Sequence, residues 1–138
     1  MHDPVNLTTI RPRPVRVFSD ARGELWKSLC LSELAPNASI RECYTLFTHK
    51  GQVRGNHFHR RTTEWFIVVQ GRMKCTLAVP GSEQRSEVIL DAAAPALLEM
   101  PPGVAHRLCA ESDETTILLA GADQEYDRAE PDAVPYDF

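Results

Sequence analysis

The sequence predicts an all-β protein folded as a single domain. Helical periodicity is almost absent, and the only helical stretch that we expect is one turn at residues 31–34. Ten prolines and seven glycines separate short apolar segments at even spacing, which is typical of β-sandwiches and β-barrels. A chain of 138 residues has the length of one domain with one hydrophobic core.

Ten strands are predicted in chain order. Each is a short segment that ends at residues favouring a tight turn, such as Gln70-Gly71 and Pro80-Gly81. The predicted strands are residues 15–18, 24–30, 40–47, 55–59, 65–69, 73–79, 86–90, 96–100, 105–110 and 116–120. Hairpins this dense are accommodated by jelly rolls and closed barrels, which hide the edges of their strands.

The positions of the predicted strands divide the chain into three parts. We expect an N-terminal arm at residues 1–14, a β-barrel at 15–122, and an acidic tail at 123–138 that packs on the barrel or on a partner subunit. The strand at 65–69 is apolar on both faces, so we expect both to be covered, for instance by a partner subunit. The sequence therefore predicts a homodimer.

The bulk composition excludes several partners. A net charge of −4 gives no general attraction to nucleic acid or anionic lipid. The N-terminus lacks a basic start followed by an apolar run, and no long apolar stretch occurs, so we expect a cytoplasmic protein without a membrane segment. The four cysteines form no CxxC pair and fall inside predicted strands, so we expect buried, reduced thiols; they are Cys30, Cys43, Cys75 and Cys109.

Residue types that bind metals cluster in one part of the sequence. His57 and His59 are two apart on a predicted strand, so their side chains share a face about 7 Å apart along the chain. Glu64 lies an odd number of residues from His59, so the chain must reverse at the polar residues 60–63 to bring it to that face. His106, from a later strand, completes a set of three histidines and one carboxylate, which can bind one metal ion.

The spacing of these residues resembles the two sequence motifs of the cupin family. The first motif is matched by Gly51, His57, His59, Glu64 and Gly71, and the second by Pro101, Gly103 and His106. The second motif departs at two positions, where Ala110 replaces the usual Asn and Pro95 the usual Gly, but all four ligand positions are intact. The resemblance implies a jelly-roll β-barrel that holds one divalent metal ion.

The identity of that metal stays open. Imidazole and carboxylate ligands suit zinc, iron, nickel, copper and manganese alike. Four protein ligands would leave about two positions of an octahedral ion for water or substrate. The two other histidines, His2 and His49, are expected to be solvated rather than to bind the metal.

A longer resemblance points to nucleotide-sugar metabolism. The segment Val53–Gly71, the turn at residues 101–106 and the tail with Tyr126 and Asp127 resemble the small cupins of that metabolism. These include sugar 3,4-ketoisomerases, 3,5-epimerases and the cupin domain fused to capsular polysaccharide sugar reductases. The resemblance to the first two implies that His57 is a catalytic base. A histidine bound to a metal has lost that basic lone pair, so His57 is either a ligand or a base.

The leading hypothesis is an isomerase or epimerase that acts next to the keto group of a nucleotide-linked sugar. A metal would stabilise the enolate formed when the adjacent carbon loses a proton. Arg54 is the candidate for holding the diphosphate, Asn56 flanks the site, and Tyr44 or Tyr126 is the candidate for exchanging protons.

Two other functions remain open from the sequence. One is an iron-dependent dioxygenase of a small molecule, and the other is a non-catalytic cupin that only binds a ligand. The lining of the pocket discriminates among them: charged and hydroxylated residues favour a sugar nucleotide, a dry aromatic lining favours dioxygenation, and a site closed to water favours a structural metal.

Overall fold

The computed structural model describes residues 4–138, so His2 and the first residues of the arm lie outside the described part. Twelve strands and two short 3-10 helices, Leu7–Thr9 and Leu31–Glu33, make up the described chain. The strands are β1 Arg13–Pro14, β2 Arg16–Asp20, β3 Gly23–Lys27, β4 Glu42–Thr48, β5 Val53–His59, β6 Glu64–Gln70, β7 Arg72–Ala78, β8 Arg85–Asp91, β9 Ala96–Met100, β10 Ala105–Ala110, β11 Thr116–Ala122 and β12 Ala133–Pro135.

Two five-stranded sheets contain most of these strands. The first sheet has the order β1-β9-β6-β11-β4, the second has the order β12-β5-β10-β7-β8, and β2 and β3 form a separate hairpin. Every neighbouring pair is antiparallel. The all-β prediction is confirmed, and no helix within residues 4–138 is long and apolar enough to cross a membrane.

The main core lies between the two large sheets. Strands of the first sheet contribute Phe66, Val68, Leu98 and Leu118, and strands of the second contribute Met73, Cys75, Leu77, Leu90 and Leu108. Each fully buried side chain of this size stabilises the fold by roughly 1.5–3 kcal/mol relative to an exposed one. Leu7 and Ile10 from the arm also pack into this core, so part of residues 1–14 belongs to the packed structure.

A second apolar cluster explains why β6 is apolar on both faces. Its other face carries Trp65 and Ile67, which pack with Leu34 and Leu97. Partly buried residues of the same chain cover them: Val15, Trp26, Leu29, Ala38, Ile40 and Leu119. Both faces of the strand are therefore covered as expected, but the second is covered by the chain's own residues, mostly of its N-terminal third, rather than by a partner subunit. A homodimer stays a prediction.

The cysteines only partly follow the prediction of buried thiols. All four are free, and Cys75 is fully buried, which raises its pKa to about 12. Cys43 is exposed, however, because it lies on the outward face of the edge strand β4. Cys30 lies outside any strand, directly before the helix Leu31–Glu33.

Candidate active site

Three strands bring the predicted metal ligands together at one place, which we call the cavity floor: His57, His59, Glu64 and His106. His57 and His59 lie on β5, and Glu64 is the first residue of β6. His106 lies on β10, directly opposite His57 in the strand register. Each of the four residues offers one ligand atom, and these atoms all lie within 4.8 Å of one another.

The reversal predicted at residues 60–63 is present and is held by Asp132. One oxygen of Asp132, Oδ2, accepts hydrogen bonds from the backbone N–H groups of Arg61 and Thr62 at 3.1 and 2.9 Å. The Thr62 hydroxyl donates to the same oxygen at 2.7 Å. This oxygen also lies 3.5 Å from His59 Nδ1. Asp132 therefore fixes the turn that places His59 and Glu64 side by side.

Glu64 is the charged residue of the floor. It is 3% exposed, the Tyr44 hydroxyl donates to its Oε2, and His59 Nε2 lies against its Oε1. Burial raises the pKa of Glu64, but His59 and the Tyr44 hydrogen bond lower it more, so the pKa lies below its ordinary value. Burial and the charge of Glu64 raise the pKa of Tyr44 far above its ordinary value. Glu64 is thus a carboxylate, and Tyr44 a protonated phenol.

The three histidines differ in their tendency to bind a proton. Burial lowers the pKa of His106 to about 4. Burial and the neighbouring His59 hold the pKa of His57 below its ordinary value. Burial also lowers the pKa of His59, but Glu64 and Asp132 raise it more, so that it lies above its ordinary value. His57 and His106 are therefore neutral imidazoles near neutral pH.

The floor residues fit a divalent metal ion. Both ring nitrogens of His59 are buried, and each faces a carboxylate oxygen, Nε2 that of Glu64 and Nδ1 that of Asp132. Neutral imidazoles and a carboxylate are the ligands that zinc and related ions take in proteins. The donor set and its close grouping therefore suit such an ion.

A bulge in β5 decides which residues next to His57 face the site. His106 pairs with His57 but Arg107 pairs with Gly55, so Asn56 is the extra residue on β5. Gly55 and Asn56 both have positive φ, 87° and 57°. A side chain on Gly55 would lie 2.6 Å from the carbonyl oxygen of His106, so this position requires glycine.

The bulge separates the two predicted substrate-binding residues. Arg54 lines the same cavity as the floor, and its guanidinium donates to the Thr48 hydroxyl at 2.9 Å and to the Phe47 carbonyl at 3.0 Å. Asn56 is exposed and lines a different, shallow cavity beside Arg107. The extra residue of the bulge thus does not line the cavity of the floor, and a substrate-binding role for Asn56 stays a prediction.

The floor opens into a cavity of about 1000 Å³. Charged and hydroxylated side chains line it: Arg41, Glu42, Tyr44, Arg54, Arg61, Thr62, Glu125, Tyr126, Asp127, Arg128, Glu130 and Asp132. Its apolar lining includes Leu46, Phe66 and Leu108. Tyr126 lines the cavity too, but it is 70% exposed, unlike Tyr44.

Several site residues were missed by the sequence analysis. Asp132, Arg41 and Arg128 lie far from the histidine motifs in the sequence, and no spacing rule connects them to the site. Thr62 was noted only as part of a polar turn. The acidic tail with two prolines was a signal for an ordered, extended segment, but it does not indicate which carboxylate would reach the floor.

Comparison with known proteins gives one family and several relatives. The model of the polysaccharide biosynthesis C-terminal domain family matches residues 18–134. A UDP-2-acetamido-2,6-beta-L-arabino-hexul-4-ose reductase from Pseudomonas aeruginosa is 28% identical over 121 residues, which are 86% of this chain and 30% of that protein. The chain thus spans less than a third of that reductase.

Solved structures of nucleotide-sugar enzymes are similar to this chain. The dTDP-4-dehydrorhamnose 3,5-epimerase from Bacillus anthracis has a TM-score of 0.78 at 25% identity, over 96% of this chain and 81% of the epimerase. The sugar 3,4-ketoisomerase QdtA from Thermoanaerobacterium thermosaccharolyticum, in complex with TDP, has a TM-score of 0.75 at 20% identity, over 94% and 89%. These likenesses confirm the predicted jelly-roll fold and the resemblance to small nucleotide-sugar cupins.

Proposed function

Because this chain belongs to the polysaccharide biosynthesis C-terminal domain family, we propose that it is an isomerase or epimerase that moves a proton next to the keto group of a nucleotide-linked sugar. One observation carries the proposal. A floor of three histidines, a carboxylate and a phenol shares a single cavity of about 1000 Å³ with four arginines. That combination provides acid–base groups for the sugar and cationic groups for a diphosphate.

His57 is the base in this proposal. Its ring is only partly buried and lines the cavity, and its lowered pKa keeps the imidazole neutral near pH 7. A neutral imidazole nitrogen accepts a proton from the carbon next to the keto group and can return it to a neighbouring atom. This role requires that His57 keep a free nitrogen lone pair, so it excludes His57 as a metal ligand.

The remaining floor residues, His59, Glu64 and His106, would hold the metal ion. When bound, a divalent ion would supply positive charge near the keto oxygen, where negative charge develops as the proton leaves. Among the chain's own residues, Asp132 orients His59, and burial keeps His106 neutral. Three protein ligands also leave a position open for substrate, as in catalytic rather than structural sites.

Tyr44 is the second proton-exchanging group of the proposal. Its hydroxyl donates to Glu64, and its raised pKa keeps it protonated, so it can donate but does not act as a base. A donor separate from His57 would deliver its own proton to a different face of the carbon, which an epimerase requires. Tyr44 would then regain a proton from water, and His57 would lose to water the one that it accepted. Tyr126 is exposed on the irregular segment that lines the cavity, and its position favours substrate binding over proton transfer.

The lining favours this function over the two alternatives. Guanidinium, carboxylate and hydroxyl groups predominate among the described lining residues, whose aromatic side chains besides the floor histidines are Tyr44, Phe66 and Tyr126. A dioxygenase of an aromatic or thiol substrate is expected to have a drier lining. The open cavity is also unlike the closed surroundings of a structural metal.

Deuterium exchange tests the proposal. The protein is incubated in D₂O with a UDP- or dTDP-linked 4-keto-6-deoxy sugar, and NMR follows the hydrogens on the carbons next to the ketone. We expect deuterium to enter at one of these carbons at least about 100-fold faster than in buffer, a typical contribution of a positioned base. Arg107→Ala, on the outer face of β10, is the control and should exchange like the original protein.

Metal dependence is tested in the same assay. Chelator-treated protein should exchange more slowly, and one equivalent of a divalent metal should restore the rate. If the metal-loaded protein incorporates no deuterium from either nucleotide sugar, the proposed function is wrong. If chelator-treated, metal-free protein exchanges at the full rate, the function stands without the metal.

A further inference from the structure

A segment across the cavity is pinned at both ends to one turn. Before it, Asp123 accepts a hydrogen bond from the Thr63 N–H at 2.9 Å, and its own N–H donates to the Thr63 carbonyl at 3.1 Å. After it, Asp132 accepts hydrogen bonds from Arg61 and Thr62. The residues between these two anchors, 124–131, therefore form a loop with closely spaced ends, which we call the strap.

The strap residues lie on the surface, where a ligand in the cavity can contact them. They are all exposed, and none belongs to a helix or strand. Six of the eight nevertheless line the cavity above the floor: Gln124, Glu125, Tyr126, Asp127, Arg128 and Glu130. One contact holds the middle of the strap, where the Tyr126 N–H donates to Glu42 Oε2 at 2.8 Å. Compact surface loops with joined ends are frequently functional.

The four cavity arginines are not equally available to an anion. Arg54 donates to Thr48 and Phe47, and Arg61 lies 3.4 Å from an Asp132 oxygen. Within residues 4–138, Arg41 and Arg128 make no ion pair. Arg41 lies beside the end of β11, two residues before the strap, because its backbone N–H donates to the Ala122 carbonyl at 2.8 Å. Arg41 and Arg128 are thus two uncommitted guanidinium groups of one cavity.

We propose that the strap is the nucleotide-recognition element of this site, with Arg41 and Arg128 binding the diphosphate and Tyr126 packing against the nucleobase. The inference rests on the proposed function, which assigns the sugar to the floor. Guanidinium groups bind phosphate oxygens through paired N–H donors, and an exposed phenol ring gives an aromatic surface for a base. The carboxylates of Glu125 and Glu130 are suited to accept hydrogen bonds from ribose hydroxyls.

Calorimetric titration of the full chain with UDP and with dTDP tests the inference, since neither nucleotide carries a sugar. Arg41→Ala and Arg128→Ala should each weaken nucleotide binding about tenfold, the effect of losing one charged hydrogen-bonded contact. Tyr126→Ala should weaken it about fivefold or more, and Tyr126→Phe should restore most of the affinity because the ring is kept.

Arg107→Ala is the matched control, since it removes the same charge outside the cavity. The inference is overturned if Arg128→Ala binds as tightly as the original protein, or if Arg107→Ala weakens binding equally, because the effect is then one of net charge. It is also overturned if the original protein exchanges deuterium into a keto sugar nucleotide but binds neither UDP nor dTDP. Nucleotide binding that depends on Arg41 and Arg128, without deuterium exchange, would instead support the strap and refute the proposed function.

Discussion

The cavity floor and the strap face the same space but are constructed in opposite ways. The floor side chains are set by strand register, and two of them, Glu64 and His106, are 3% and 2% exposed. The strap residues are exposed and depend on two aspartates at its ends. In the proposed function, the reaction thus depends on side chains that the sheets hold, and nucleotide recognition depends on a connecting segment. Changes to the floor should remove the reaction, and changes around the strap should weaken binding.

The largest effect is expected from Glu64→Gln. The amide keeps the size of the side chain but removes the only carboxylate of the floor, so a metal bound there would lose its one anionic ligand. We expect metal content to fall from about one ion per chain to less than about a tenth, and deuterium exchange to fall at least about 1000-fold. Elemental analysis and NMR measure these two quantities.

Glu125→Gln is the control for this change, because it removes one carboxylate from the strap instead. The Glu125→Gln protein should retain about one metal ion per chain. A Glu64→Gln protein that is folded by circular dichroism and still retains one ion per chain would contradict the floor as the metal site.

A smaller effect is expected from Gly55→Ala, and it concerns stability. The new methyl group would lie 2.6 Å from the carbonyl oxygen of His106 at a φ of +87°, so β5 and β10 must move apart. We expect a loss of about 3 kcal/mol in the free energy of unfolding, measured by urea denaturation.

Gly81→Ala separates the two causes of this loss. Gly81 has a similar φ of +79°, but nothing lies within 4 Å of an added Cβ. It should therefore cost only about 1 kcal/mol, from backbone strain alone. Equal losses for both variants would mean that the bulge does not depend on close packing against His106.

A still smaller effect is expected from Asp132→Asn, at the junction of floor and strap. The amide keeps the shape but removes the charge that faces His59 and weakens the acceptor for the 60–63 turn. Groups that orient a metal-binding histidine contribute at least about tenfold to metal affinity, so we expect a tenfold weaker affinity in a chelator competition. Asp137→Asn, on the exposed tail, should leave the affinity unchanged.

The sequence predicted the floor better than the strap for a physical reason. His57 and His59 are related by the two-residue period of a strand, and the reversal at 60–63 follows from the need to place Glu64 beside them. Local rules of this kind also predicted strands β2 to β11 and the helical turn that is Leu31–Glu33. The short strands β1 and β12 were not predicted, because two or three residues give no periodicity.

The features that the sequence did not reveal depend on contacts between distant segments. Asp132 reaches His59 across 73 positions only because β12 pairs with β5. The bulge at Gly55 and Asn56 breaks strand alternation, so Arg54 faces the cavity and Asn56 does not. The cover of the second face of β6 was left open, with a partner subunit as one example, because nothing in residues 65–69 indicates that the N-terminal third covers it. The Asp132 contact, the β5 bulge and the cover of β6 all depend on tertiary packing, which local sequence patterns do not show.

The role of His57 is the central claim, and one variant tests it directly. His57→Asn is measured for metal content and for deuterium exchange in the same preparation. If His57 is the base and His59, Glu64 and His106 hold the ion, the variant should keep about one ion per chain and lose exchange by at least about 100-fold. If the variant loses both the metal and deuterium exchange, the account is contradicted and His57 is a fourth ligand. If the variant exchanges deuterium at the full rate, His57 is not the base.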